Sequence, residues 1–494
     1  MPKVTQKNLR WWVLLTVIVG TFLGRLDQTI VNLALPKMMD TFSITVSSAS
    51  WISTAYILAN AVFVPIWGKL GDTIGRKKVY IIGFSIFILG SVLAGFAWSL
   101  PSMIVFRVIQ AIAGSADYPT AMAIISVTFK EGKERAQALG IWSASFAAAA
   151  VFGPLIGGPL IDSFGWRSVF LINLPIGIIG IIMALRFVNE SRIENKTHSF
   201  DWWGSITLGG SLSALVLVLD KGLDWGWFSS SALICYFAVV VLLGLFIKIE
   251  HKAKEPIVDL KFFKIPAFVN VLLNNFVVFM GMMGSLFLLP VFAQTFLGYT
   301  ATESGYLFMP MAFMMVLAAP LGGSFVGKIQ SKYIIFASTI VASIGTFMFM
   351  SIDAKSTALD IIIPLMVMAF GLGFGMSQRT SIVASLVDPH EIGIASSVLA
   401  LVRNIAGAFG IAIFGTILNN SIESNVFSIN SFSTISTNNI IKIQQYVALI
   451  ELKAQINAYS YVFFIAGIII FFGAFISLFM KIKKERTDIK VHVE

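Results

Sequence analysis

The sequence predicts an all-α polytopic membrane protein with about fourteen transmembrane helices, and three observations predict it. Of the 494 residues, 57% are hydrophobic and only 12% charged, and the mean hydropathy of +0.86 lies outside the range of water-soluble globular chains. Runs of about 20 residues without a charge, Val79 to Trp98 and Ser168 to Leu185 among them, match the thickness of a bilayer's hydrocarbon. The third is the placement of Lys and Arg, which gather in alternate connections.

Apolar windows bounded by charged or turn-rich connections place helices at about 12–35, 50–68, 79–98, 101–124, 137–161, 168–187, 203–219, 229–248, 268–293, 305–327, 333–352, 358–378, 395–419 and 459–480. The first has a basic flank but is long and lacks a small-residue cleavage site, so it reads as a span rather than a signal peptide. An even number sets both termini on one side. About 26 of the 35 Lys and Arg then fall on that side, about 6 opposite and 3 within spans, which predicts cytoplasmic termini. The formal charge of +10 reports this orientation, and no nucleic-acid partner is expected.

Polar segments at Asn189–Asp201 and His251–Lys264 bracket one extra helix pair. The expected organisation is 6 + 2 + 6: an N-terminal bundle over 1–188, a linker with two helices over 189–264, and a C-terminal bundle over 265–494. A long extracellular loop is expected at 420–458, with an amphipathic helix near Ile441–Ile456. The second span of each six-helix group closes on glycines and a base, GKLGD at 68–72 and GGSFVGK at 322–328. That similarity fits parallel repeats with a site at their interface.

Several function classes are excluded. The one cysteine, Cys235, rules out a disulfide framework and a cysteine metal site. His198, His251, His390 and His492 all fall in polar connections or the tail, so a membrane haem or metal has no ligands and no cofactor is expected. No G-x-x-x-x-G-K-[ST] sequence occurs, which disfavours an ATP-driven pump. No coherent catalytic constellation points to an enzyme.

The connection GKLGDTIGRKKVY at 68–80 combines glycines, which permit a tight turn, with Asp72 among Arg76, Lys77 and Lys78, a charge network able to open and close. This segment resembles the signature loop of the major facilitator superfamily at every defined position. Phe106-Arg107-Val-Ile-Gln110 resembles that family's fourth-helix arginine motif, and Gly153-Pro154-Leu-Ile-Gly157-Gly158, preceded by Gly140, its fifth-helix antiporter motif. Leu26-Asp27-Gln-Thr29-Ile-Val-Asn32-Leu-Ala34-Leu-Pro36 is similar to the first-helix motif of the fourteen-helix drug:proton antiporter branch. Trp166-Arg167, Asn173-Leu-Pro175-Ile-Gly177 and Arg403-Asn-Ile-Ala-Gly407-Ala-Phe-Gly410 also resemble that branch. The chain departs at Ala149 and Ala111, where the motifs usually carry glycine.

The resemblance implies proton-coupled efflux of small amphipathic drugs or toxic compounds at the plasma membrane by alternating access. It implies the proton gradient as energy source, drug resistance as consequence and a functional monomer. Gly68, Asp72, Gly75, Arg76 and Lys77 would gate; Gly140, Gly153, Pro154, Gly157 and Gly158 would form the antiporter motif. Export of an anionic or lipidic amphiphile on the same scaffold is the alternative, and a non-transporting receptor a third reading.

A charge buried in the bilayer costs at least about 2.5 kcal/mol, so intramembrane charges mark function. With a rise of about 1.5 Å per residue, Asp27 lies roughly 21 Å from the inner surface, and Arg107 lies at a similar depth if the fourth helix enters near Pro101. Arg107 is thus a possible partner of Asp27, and Asp27, Arg107 and Asp117 are the expected proton-coupling set. Arg25, two residues from Asp27, is about 200° around the helix and faces away from it. Arg25, Asn32, Trp51, Tyr56 and Arg403 are expected at a substrate cavity.

Overall fold

The computed structural model describes residues 6–129, 133–191, 201–253, 260–325, 328–387, 392–432 and 440–480. Among them every long element is a helix, as it must be where no water can satisfy a bare backbone. In chain order these are α1 (Gln6–Phe42), α2 (Val46–Ile74), α3 (Arg76–Gly95), α4 (Leu100–Gly114), α5 (Asp117–Thr128), α6 (Lys133–Phe164), α7 (Ser168–Leu171), α8 (Asn173–Phe187), α9 (Trp202–Trp225), α10 (Ser230–Glu250), α11 (Pro266–Phe296), α12 (Ala301–Tyr306), α13 (Met309–Gly323), α14 (Ser331–Met348), α15 (Ala358–Leu386), α16 (Ile392–Phe432) and α17 (Ile440–Leu478).

Twelve helical stretches among the described residues are long and apolar enough to cross a membrane. Each overlaps one of the fourteen expected spans. The window at 101–124 is divided by a turn at Ser115–Ala116 into α4 and α5, of 15 and 12 residues, and the window at 137–161 lies in α6, only part of whose side chains are described.

The expected long loop at 420–458 is largely helical instead. α16 runs on to Phe432 and α17 begins at Ile440, so the helix expected near Ile441–Ile456 is continuous with the last span. Ser and Asn lower the hydropathy and so ended the apolar window, but their helix propensity is only about 0.5–0.7 kcal/mol below that of Ala and does not by itself end a helix.

The chain forms two compact units. One comprises Met1–Ile44, Ala49–Val258 and Tyr299–Met309, the other Thr45–Ser48, Asp259–Gly298 and Pro310–Glu494. In the first, α1 packs on α5, α6 and α8, and α3 on α4 and α8. Close approach depends on missing side chains: a Cβ on Gly90 of α3 would lie 2.8 Å from the Gln110 backbone of α4. The extra pair α9 and α10 belongs to this unit and packs on itself, with Cys235 buried against Val218 and Ala232. Much of α10 is bare: Leu233, Ile234, Phe237 and Val240 are 52–70% exposed. In water such a stripe would be a liability, whereas in hydrocarbon it is solvated. In the second unit α11 packs on α15, α16 and α17, and α14 on α15 and α17.

Candidate functional site

α1 carries Asp27 on the face it turns into the first unit, where the carboxylate is wholly buried. Three side chains meet it there. Arg107 Nη1 of α4 donates to Oδ2 at 2.5 Å, and Gln110 Nε2 and Asn173 Nδ2 donate to Oδ1, each at 2.9 Å. The i, i+3 spacing sets Arg107 and Gln110 on one face of α4, and Arg107 Nη1 also donates to Gln110 Oε1 at 2.7 Å.

Asn173 opens α8 directly after α7, so the chain turns its side chain inward; its Nδ2 also reaches Ser91 Oγ at 2.7 Å. The guanidinium of Arg107 lies over the Tyr56 ring at 4.0 Å and near Phe170 at 5.7 Å, a cation–π cage. Arg107 and Asp27, set at one depth by residue count, form a buried hydrogen-bonded ion pair. One acceptor in this cluster, Asn173 Oδ1, is buried without a partner.

Asp117 lies elsewhere in the same unit. It stands in the first turn of α5, where the positive end of the helix dipole favours a carboxylate. Thr21 accepts from Trp142 Nε1 at 2.9 Å and is hydrogen-bonded to Asp117. One Asp117 oxygen is buried without a partner, and a Cβ on Gly20 would come within 3.1 Å of it. Arg25 donates to Gln28 at 3.2 Å and lies within electrostatic reach of Asp117. The two charges of α1 therefore have different partners: Asp27 pairs with Arg107, while Arg25 is hydrogen-bonded to Gln28 and lies within electrostatic reach of Tyr56, Asp117 and Tyr118.

The residues expected at a substrate cavity have different surroundings, each within its own unit. Tyr56 is buried under Arg107 and belongs to the ion-pair cluster. Asn32 accepts from Ser53 Oγ at 3.2 Å. Trp51 lines a separate apolar cavity of ≈ 420 Å³ with Ala55, Phe63, Trp202, Ser205 and Gly210. Arg403 lies in the second unit, over Phe279 at 5.4 Å.

At the expected gate, α2 continues to Ile74, so Gly75 alone separates it from α3. Its φ of 115° is a left-handed conformation that glycine adopts without strain. Glu190 caps α3 from the end of α8, accepting from the Lys77 and Lys78 backbone at 3.0 and 3.1 Å; Arg76 N donates to Ser191 O at 3.0 Å. Lys77 Nζ donates to Leu185 O at 2.8 Å. The side-chain surroundings of Gly68, Asp72 and Gly140 lie outside the described residues.

The glycines at 153, 157 and 158 are points of close helix contact. A Cβ on Gly153 or Gly157 would run into Thr29 or Ile30 of α1, and one on Gly158 into the Thr302 backbone of α12. Gly305 returns the contact, its would-be Cβ lying 2.7 Å from Pro154 O. Just past the motif, Asp162 accepts from Ala301 N, Thr302 N and Thr302 Oγ1 at 3.1, 2.9 and 2.6 Å. Desolvation raises the Asp162 carboxyl, but the hydrogen bonds from Thr302, Ala301 and Thr300 outweigh it and hold the group below the ordinary carboxylate range.

Sequence reasoning missed Arg379. It is wholly buried on α15, with Nε donating to Asn274 Oδ1 at 2.8 Å and Nη2 to Thr339 Oγ1 at 3.1 Å. The apolar window for that span closed at residue 378, so the arginine fell among the connections.

Comparison with known proteins agrees with this architecture. A family-wide sequence profile described as the Major Facilitator Superfamily matches residues 17–411. The multidrug transporter protein MdtP of Bacillus subtilis is 34% identical over 85% of this chain and 77% of its own. The multidrug resistance protein Stp of Mycobacterium tuberculosis is 31% identical over 82% and 76%. The crystal structure of a bacterial homologue of the human lysosomal transporter Spinster, inward-facing and occupied, superposes with a TM-score of 0.69 over 95% of this chain and 96% of its own, at 16% identity.

Proposed function

The chain belongs to the Major Facilitator Superfamily, in its drug-efflux branch, and is a multi-pass membrane protein; from that membership we propose that it exports small amphipathic toxic compounds across the plasma membrane in exchange for protons, by alternating access. In this reading the stretches 101–124 and 137–161 also cross the bilayer, giving fourteen spans arranged 6 + 2 + 6 with both termini in the cytoplasm, and the monomer suffices.

The observation that supports proton exchange is the buried Asp27 cluster. A carboxylate there is compensated by Arg107, Gln110 and Asn173. When Asp27 takes a proton it must find an acceptor, because a buried hydroxyl left unpaired costs about 1–3 kcal/mol. Asn173 offers one: its Oδ1 has no partner, and turning the amide about its last bond replaces a donor to the carboxylate with an acceptor from the acid. Arg107, released from Asp27, keeps Gln110 Oε1, the Ile52 carbonyl and the Tyr56 ring. Both protonation states therefore find partners, which suits a group that must gain and lose a proton in each cycle.

Asp117, with a bare buried oxygen, is a second proton station. Gly75 and the Glu190 cap serve the conformational change, and the α6 glycines with Asp162 hold α12.

Efflux of a cationic dye from everted vesicles, followed by fluorescence, tests this. Wild type should lose efflux when the pH gradient is dissipated, and Asp27→Asn should lose gradient-driven efflux while still inserting. Full gradient-driven efflux by Asp27→Asn would falsify the reading. Competition by anionic rather than cationic amphiphiles would shift it to the lipidic alternative.

A further inference from the structure

Among the described residues, the two largest side chains that are fully enclosed are both arginines, Arg107 and Arg379. Each lies on a helix within its own unit, α4 in the first and α15 in the second. Each has its hydrogen-bond partner on the first long helix of a six-helix group, Asp27 on α1 and Asn274 on α11. The difference is one of charge, since Asp27 is a carboxylate and Asn274 a neutral amide.

Among the described residues, the hydrogen-bond partners of Arg379 are neutral. Among the described residues no carboxylate lies within ion-pair distance of it, and its Nη1 is buried without a hydrogen-bond partner. The neighbours are already committed. Asn274 Nδ2 donates to Gly473 O at 2.8 Å. Gln378 accepts from Ser331 Oγ and donates to Gly322 O, each at 2.7 Å, and Ser338 Oγ donates to Ile335 O at 3.0 Å. Nη1 faces the bare backbone of Gly375, where a Cβ would stand 2.9 Å away.

We propose that Arg379, with Thr339 and Gly375, forms a binding site for a small monoanion, chloride or a free carboxylate, held by the Nη1 hydrogens. A guanidinium does not lose its proton in a protein, so this charge cannot be removed by deprotonation. A water molecule would satisfy the hydrogen bond and leave the charge; an anion does both, which is what makes a buried cation tolerable. The second unit then borrows from solution the negative charge that the first holds covalently on Asp27. The site is independent of the transport reading, because it concerns the folded protein at rest.

The test is thermal unfolding of the purified full-length protein in detergent, with chloride or acetate replacing gluconate at constant ionic strength. An anion bound only to the folded state shifts the folding equilibrium about 11-fold at ten times its Kd. The expected result is a saturable rise of the midpoint in wild type and none in Arg379→Gln. A response to chloride alone assigns a halide site, to acetate alone a carboxylate site, and to both a general monoanion site. A midpoint indifferent to the anion in wild type, or an Arg379→Gln protein that titrates like wild type, overturns the proposal. Should Arg379→Gln fail to fold, bromide-soaked crystals of wild type decide: an anomalous peak within hydrogen-bond reach of Arg379 Nη1 supports the site, and its absence rejects it.

Discussion

At the scale of the residue, the first unit keeps charge in a membrane by pairing it. Asp27 and Arg107 neutralise each other and share Gln110, so neither faces hydrocarbon alone. That pairing was legible in the sequence because depth along a helix is set by a fixed rise per residue, and two opposite charges at one depth have an evident use. Asn173 was visible only as part of a motif, since nothing in a single sequence says that an asparagine after a short helix turns inward. It makes a sharp prediction. Asn173→Leu removes one hydrogen bond to a charged group, a loss of about 1.5–3 kcal/mol, and should lower gradient-driven dye efflux about tenfold or more with little change in insertion. Asn173→Asp would place a second carboxylate beside Asp27 and should alter the pH profile of efflux, a response that mere loss of packing does not produce.

Among the elements, the joint between α2 and α3 and the contact between α6 and α12 are both tightly constrained. The glycine and basic residues of the joint could be read from its motif. Glu190 could not, because it is distant in sequence and looks like any polar residue after a span. A Cβ on Gly75 would meet a positive φ and also the Glu190 carboxylate at 2.5 Å. Gly75→Ala should therefore destabilise by about 1–3 kcal/mol, seen as a lower unfolding midpoint in detergent. Glu190→Gln, which keeps the shape and removes the charge at the start of α3, should cost about 0.3–1 kcal/mol.

For the α6–α12 contact the sign of pH dependence follows from Asp162. A carboxyl held below its unfolded value contributes stability above the ordinary carboxylate pKa, about 3.9, and loses it as pH falls through the folded value. The contact should persist under mild acidification, and Asp162→Asn should weaken it at neutral pH. Accessibility of a single Ser304→Cys thiol, buried on α12, reads both; a contact opening near pH 6 in otherwise wild-type protein would contradict this.

For the molecule as a whole, the membrane class and helical architecture were legible because hydrocarbon leaves few alternatives to a satisfied helix. Helix ends were less so, as α16 and α17 show: hydropathy marks what dissolves in lipid, whereas a helix stops where its backbone bonding stops. The positive-inside count predicts that reporters at both ends of the chain lie on the cytoplasmic face, and opposite labelling of the two would refute an even number of spans. Here the burial of Cys235 between α9 and α10 becomes practical. With one thiol in 494 residues, and that one shielded by its helix pair, a single Cys235→Ser change yields a sulfhydryl-free background. Impermeant maleimides can then map sidedness, one engineered position at a time, with negligible endogenous signal.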